Sequence, residues 1–195
     1  LQFVLTALID KADGGLRPIN LFPSVYRLHA RVRAPLFRQW SQTHGKAPEV
    51  NMATRRTATD GLYRHYLRMA GHDPQGFHAT ILWDLKKAFE NIDRQQLVEC
   101  ARHFSYPQSW LRLALASYQW PRTLFVGTIA MPALVPQIGV AAGAMSATYD
   151  LHLYLLHTIV MHRKQCRNVH LSIHVDDIIR DFEGDSEEAV LEAVD

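Results

Sequence analysis

The stretch Val169-His170-Leu171-Ser172-Ile173-His174-Val175-Asp176-Asp177-Ile178-Ile179 decides the fold. Leu171, Ile173 and Val175 alternate with polar neighbours, the period of a half-buried strand. Apolar character resumes at Ile178 and Ile179, so the acidic pair Asp176-Asp177 falls at the tip of an apolar hairpin. Adjacent carboxylates repel, and a bound divalent cation is the usual reason for placing them together. A second carboxylate stands in a matching place, because His78-Ala79-Thr80-Ile81-Leu82-Trp83 is another apolar strand and it ends in Asp84. With the strands as neighbours in one sheet, Asp84, Asp176 and Asp177 make an all-oxygen site for a hard cation, Mg²⁺. The competing interpretation is two unrelated turns with solvated carboxylates, since Asp is common at strand exits.

Composition sets the frame around this site. A chain of 195 residues, 48% hydrophobic and 21% charged, is ordinary for a globular protein large enough to bury a core. The net charge is only +2, but it is unevenly spread. Residues 16–68 carry Arg17, Arg27, Arg31, Arg33, Arg38, Lys46, Arg55, Arg56, Arg64 and Arg68 against Glu49 and Asp60, whereas residues 169–195 are acidic with Arg180 as the lone cation. A basic half beside an acidic pocket fits a polyanion held by one lobe and metal held by the other. The preference for arginine over lysine suits phosphate oxygens. Cys100 and Cys166 give no disulfide framework, and with His103 and His170 they match zinc spacing only weakly. His152, His157 and His162 recur every five residues and so share no helix face. The apolar run from Leu151 to Met161 is too short to span a bilayer and predicts a buried helix, with no membrane partner. The absence of a basic n-region and the opening at Leu1 suggest a piece of a longer intracellular protein, the nucleus included among its locations.

Along the chain, apolar runs at 3–9 and 16–21 flank Asp13-Gly14-Gly15 and predict a hairpin. Ser24 opens a helix that puts Val25, Leu28, Val32, Leu36 and Trp40 on one side and Arg27, Arg31 and Arg38 on the other, with Pro35 expected to kink or divide it. A polar linker follows at 43–51, then a helix from Thr57 or Thr59 to Gly71. Beyond the strand at 78–84, Asp93 with Gln96 predicts a capping box, Pro107 a second helix, Thr123–Val126 and Thr128–Met131 two strands across Gly127, and Gly143 the start of a long helix. Asp185 with Glu188 predicts the cap of a last helix. The order β-α-β-β-α-β is that of a split βαβ unit.

These motifs together resemble the reverse transcriptase domain of non-LTR retrotransposons and group II introns. Asp84-Leu85-Lys86-Lys87-Ala88-Phe89-Glu90-Asn91-Ile92-Asp93 is similar to that family's first palm motif, His174-Val175-Asp176-Asp177 to its later palm motif, and Leu16-Arg17-Pro18-Ile19-Asn20-Leu21 with Tyr26-Arg27-Leu28 to its fingers segment. The motifs stand in the family's order and cover nearly the whole chain. The resemblance implies an α+β right-hand polymerase, with a fingers-like basic lobe at 1–75 and a split-βαβ, ferredoxin-like palm lobe at 76–195. The resemblance also implies that the rest of the palm and the thumb are supplied by a parent polypeptide. The implied function is RNA-directed DNA polymerisation on an RNA template and DNA primer. In that scheme Asp84, Asp176 and Asp177 hold two Mg²⁺ ions, with Asp177 the outer ligand. Arg17 and Arg27 grip the dNTP triphosphate, Phe89 is the steric gate against a 2′-hydroxyl, and Gly143 lets backbone approach the nucleotide. Two departures stand out: Ala141-Ala142 replaces the Pro-Gln of the family's Gly-x-Pro-Gln-Gly-Ser, and His174 replaces an aromatic residue. The first supports an alternative, a catalytically weakened nucleic-acid-binding or assembly module.

Overall fold

The period-two runs become strands, and the 3.6-period runs become helices, in a computed structural model that describes residues 3–10, 12, 14–44, 49–50, 56–72, 76–126, 129–166 and 169–194. Asp13, Gly127, Thr128 and linker positions 45–48 and 51 lie outside the described residues. The chain divides into two compact units, residues 1–40 with 87–154, and residues 41–86 with 155–195.

In the first unit, β1 (Val4–Asp10) and β2 (Leu16–Leu21) form the expected antiparallel hairpin, with Thr6 opposite Asn20. β1 also pairs in parallel with β4 (Arg122–Val126), which pairs with the short β5 (Ile129–Ala130). The sheet order is β2-β1-β4-β5. β4 and β5 therefore join the hairpin sheet, and the β-α-β-β-α-β order does not close into one four-stranded palm sheet. The free edge of β1 satisfies the backbone groups of β4 that a palm sheet would otherwise have paired.

Helix α1 (Ser24–His44) corrects two expectations. It runs without interruption through Pro35, whose ring is solvent-exposed. Its buried face is Tyr26, Ala30, Ala34, Phe37 and Trp40, while Val25, Leu28 and Val32 point to solvent. Aromatic rings bury more area than the aliphatic alternatives, and the alanines admit close approach. The core they enter includes α3 (Arg94–His103), α4 (Gln108–Tyr118) and the first half of α5 (Ala147–Gln165). Phe37 meets Trp110 edge-on at 4.8 Å, and Trp40 meets Tyr106 at 4.9 Å while donating its indole N–H to the Phe104 carbonyl at 2.9 Å. Asp93 caps α3 as expected by accepting from the Gln96 amide, but the Gln96 side chain accepts from Tyr154 instead of closing the box.

Asp150 lies fully buried in this core and accepts hydrogen bonds from the hydroxyls of Tyr106 (2.8 Å), Tyr118 (2.5 Å) and Ser146 (3.0 Å). Burial pushes its pKa up to about 6, against the lowering effect of the three hydroxyl donors.

In the second unit, β3 (Phe77–Asp84), β7 (Asp177–Gly184) and β6 (Val169–His174) form an antiparallel sheet in the order β3-β7-β6. One face carries Thr80 opposite Asp181 and is covered by α2 (Ala58–Gly71), which starts with a capping box between Thr57 and Asp60. Asp181 is buried and accepts from Arg68 Nε (3.1 Å) and Nη2 (2.8 Å) and from Thr80 Oγ1 (2.9 Å), with His65 Nδ1 at 3.1 Å. Burial alone would raise this carboxyl, but the hydrogen bonds from Arg68, His65 and Thr80 outweigh it and hold the pKa below the usual value. The opposite face packs Ile173 against Val50 and Ile159. α6 (Glu187–Val194) closes on Gly184, where a Cβ would lie 3.0 Å from Val190 Cγ2. Its cap is Ser186, whose hydroxyl accepts from the Ala189 amide at 3.1 Å, not Asp185, because only the nearer side chain reaches that amide.

Asp150 generates a pH prediction. An acid raised in the fold binds its proton more tightly there than in the unfolded chain, so its stabilising contribution is present below about pH 4 and is lost as pH rises through about 6. The loss is on the order of 3 kcal/mol for a shift of about two pKa units. Asp150→Asn keeps the shape and removes the titration. Denaturant unfolding at pH 4 and pH 7 should show the Asn variant gaining about that much relative to the parent at the higher pH.

Candidate catalytic site

The acidic hairpin forms as the alternation predicts. β6 ends at His174, Val175 and Asp176 make a two-residue turn, and β7 starts at Asp177. Such short loops require backbone of the primed turn types with positive φ. Val175 adopts φ 60, which a β-branched side chain resists and which stores strain.

The register then brings Asp84 directly opposite Asp177. Directly opposed residues project to the same face, with Cα atoms about 5 Å apart. The Leu85 amide donates to the Asp176 carbonyl at 3.1 Å, which carries the ladder one step into the turn. His174 is opposite Asp177 on the other side. A row His174, Asp177, Asp84 therefore crosses the three strands at one end of the sheet. Asp84 and Asp177 are exposed and Asp176 is half-buried. Among the described residues none of these three carboxylates is in an ion pair, so the charges face each other uncompensated. Asp84, Asp177 and His174 border a cavity of about 500 Å³ lined also by Thr59, Leu62, Leu82 and Trp83. The donor set is all oxygen and lacks a counter-charge, which fits a hard divalent cation. Among the described residues no three His, Cys, Asp or Glu side chains are already gathered into a metal-holding group.

The other motif residues belong to the first unit. The Phe89 carbonyl accepts from the Val140 amide at 2.8 Å, and the Ile92 carbonyl accepts from Gly139 at 2.9 Å. The segment after Asp84 is thereby bonded to the loop that departs from the family pattern. Gly139, at φ 75, leaves no room for a side chain, since a Cβ would lie 2.4 Å from the Glu90 carbonyl oxygen. Arg94 secures the same loop by donating to the carbonyls of Gly139 (2.7 Å), Ile138 (3.0 Å), Tyr118 (3.1 Å) and Pro136 (3.2 Å). Gly143, at φ 98, passes so close to β2 that a Cβ would lie 2.8 Å from the Asn20 carbonyl oxygen. Gly143 and Arg27 line one cavity of about 410 Å³. Arg17 sits exposed on β2 opposite Ile9 and does not line it. Arg31, read from the sequence only as part of the basic side of the helix and not as a site residue, lines that cavity one turn beyond Arg27, and Asp181 was not singled out. The spacing from Arg27 was a usable signal for the first; an Asp in a strand carries none for the second.

The family model described as reverse transcriptase (RNA-dependent DNA polymerase) matches residues 9–194. The chain belongs to the reverse transcriptase family. No curated protein sequence matches it. Among solved structures, apo telomerase from Candida tropicalis truncated from its C-terminal domain superposes with a TM-score of 0.66 at 14% identity, over 99% of this chain and 45% of that one. Candida tropicalis telomerase in complex with a TWJ fragment of telomeric RNA gives 0.68 at 13%, over 99% and 37%. The RNA-dependent RNA polymerase of a human picobirnavirus gives 0.54 at 15%, over 97% and 38%. The likenesses show the right-hand polymerase fold, and the chain spans less than half the length of these structures. Reverse transcriptases are nucleotidyltransferases, so the acidic hairpin lies in an enzyme fold of that class. Among the described residues no helix is long and apolar enough to cross a membrane.

Val175→Gly tests the turn geometry. Relief of positive-φ strain should raise unfolding stability by about 1 kcal/mol, net of the half-buried side chain lost. Urea denaturation reads the change.

Proposed function

We propose that the chain is the fingers (1–75) and most of the palm (76–195) of an RNA-directed DNA polymerase of the non-LTR retrotransposon or group II intron type. Asp84 opposed to Asp177 beside the Asp176 turn is the observation that carries this reading. Asp84, Asp176 and Asp177 would hold two Mg²⁺ ions, which supply Lewis acidity for nucleotidyl transfer. The register favours Asp177 over Asp176 as the nearest partner of Asp84, a change from the ranking the motif suggests. Arg17 and Arg27 bind phosphate through guanidinium forks. Phe89, five residues after Asp84, bars a 2′-hydroxyl and so selects deoxynucleotides. Gly143 keeps its segment free of a side chain where the nucleotide approaches.

The partners are an RNA template, a DNA primer and dNTPs, with the duplex clamp provided by the remainder of a parent polypeptide acting inside the cell. A telomerase neighbour in complex with an RNA fragment supports an RNA partner. The family membership supports the reaction class.

Primer extension by the parent-length protein on an RNA template tests the carboxylates. Asp84→Asn, Asp176→Asn and Asp177→Asn should each abolish extension. Relief of like-charge repulsion should leave the unfolding free energy of the Asp84 and Asp177 variants unchanged or slightly raised, by up to about 1 kcal/mol. Extension at the parental rate in any of them defeats the site assignment. Phe89→Val should increase ribonucleotide incorporation relative to deoxynucleotide; an unchanged ratio removes the gate role.

A further inference from the structure

The sheet face that α2 covers gathers histidines at the end away from Asp84. His78 is opposite Glu183 in the register of β3 with β7, and directly opposed residues project to the same face. His170 on β6 is opposite Asp181, two residues along β7 from Glu183, a diagonal that long side chains span. His72 reaches the same place from the C-cap of α2. Three imidazoles and one carboxylate thus meet at one corner of the sheet. That corner lies six residues along β3 from Asp84, about 20 Å at the rise of a strand.

His72 Nδ1 stands 3.3 Å from Glu183 Oε1, and His170 Nε2 stands 3.8 Å from the same oxygen. The His72 and His78 rings stack with centroids 4.7 Å apart and 6° between their planes. Ligands held about 2.0–2.1 Å from a tetrahedral zinc lie roughly 3.3 Å from one another, so the His72–Glu183 pair has the spacing of one edge of such a site. Among the described residues Glu183 pairs with no lysine or arginine. A single histidine would satisfy it as an ion pair, yet three rings are present. His72 Nε2 is buried with no hydrogen-bond partner among the described residues, so no bond at that nitrogen opposes capture of a metal by Nδ1. The four side chains do not already surround one point. His78 is exposed, and His170 and Glu183 keep 50% and 43% of their side chains exposed, which leaves their torsions free to turn to another staggered rotamer. Three nitrogens and one carboxylate suit zinc, whereas Mg²⁺ prefers the all-oxygen set at the other end of the sheet.

We propose that His72, His78, His170 and Glu183 form a second metal site, which takes Zn²⁺ and ties the end of α2 to β3, β7 and β6. The unfolded chain offers no such set, so the bound ion stabilises the second unit by mass action. Sequence spacing hints at zinc only through Cys166 and His170; the sheet gives His170 different companions. The site is independent of the polymerase reading.

Competition for Zn²⁺ with a chromophoric chelator tests the site in the full chain, untagged and stripped of metal. One equivalent should bind, and the thermal midpoint should rise with Zn²⁺ but not with the same concentration of Mg²⁺. Co²⁺ in place of Zn²⁺ should give the intense visible absorption of tetrahedral coordination. Loss of an outer-shell partner alone weakens a metal site about 10–100-fold, so His72→Ala and Glu183→Gln, which remove ligands, should each weaken Zn²⁺ at least about tenfold. His78→Ala and His170→Gln, at less buried positions, should do the same and serve if His72→Ala does not fold; circular dichroism of the metal-free variants decides that. Cys166→Ser and Asp84→Asn/Asp177→Asn should bind Zn²⁺ as the parent does. The proposal is overturned if the parent binds no equivalent of Zn²⁺, or if Glu183→Gln and His170→Gln both hold it at the parental affinity. It also fails if Asp84→Asn/Asp177→Asn removes the ion, which would put the zinc at the acidic hairpin. Primer extension is not the readout, so failure here leaves the polymerase reading standing, and failure of that reading leaves the zinc site.

Discussion

The pairing register of β3 with β7 is the constraint on which the rest depends. A one-residue slip in a sheet sends every side chain of the shifted strand to the opposite face, so Asp84 would leave Asp177 and enter the apolar side. The opposed carboxylates themselves disfavour the correct register, by up to about 1 kcal/mol at an exposed site. What holds it lies four residues along β7. Asp181, opposite Thr80 and bound to Arg68, can keep these partners only in this register. Leaving such a buried group unpaired costs about 3–5 kcal/mol. The lock exceeds the repulsion, and an acidic pair stays poised without a counter-ion.

Asp181 has its opposite in Asp150. Both are buried carboxylates with three side-chain neighbours in hydrogen-bond reach. Asp181 has a guanidinium among them and titrates low, whereas Asp150 has only hydroxyls and titrates high. Neutral donors satisfy lone pairs but do not replace the solvation of a full charge. The first unit therefore loses stability as pH rises through about 6, and the second loses it in acid as Asp181 protonates through its lowered pKa. The protein is squeezed from both sides of the pH range by two residues of the same type.

The strands were legible because alternation is a local property. The run at 169–179 and the run at 78–84 each specify a strand and a buried face without reference to anything else. Pairing was less legible. Asp176 and Asp177 are indistinguishable as sequence, and only the two-residue length of the turn decides which of them meets Asp84. The face of α1 was misread because Val25, Leu28 and Val32 fit an apolar stripe as well as Tyr26, Phe37 and Trp40 do; ring size and two intervening alanines settled it. β4 and β5 were found as strands, but an edge offered by β1, more than a hundred residues earlier, chose their sheet. Nothing local in the sequence marks Asp150 or Asp181 as buried, since burial of a carboxylate depends on partners far away in the chain.

The altered loop at 139–144 illustrates what a departure from a family pattern does and does not disturb. Replacing proline by Ala141 frees φ at one residue, which should loosen the segment. Arg94 opposes this by binding carbonyls of Pro136, Ile138 and Gly139, and Asn20, itself fixed by Thr6, donates to the Ala142 carbonyl at 3.0 Å. Gly139 and Gly143 are retained at the two positions where a Cβ would strike backbone. Backbone placement therefore survives the substitution, held by hydrogen bonds where the family uses a ring. The glutamine side chain has no such replacement in Ala142, so what the substitution removes is a polar side chain rather than the shape of the loop.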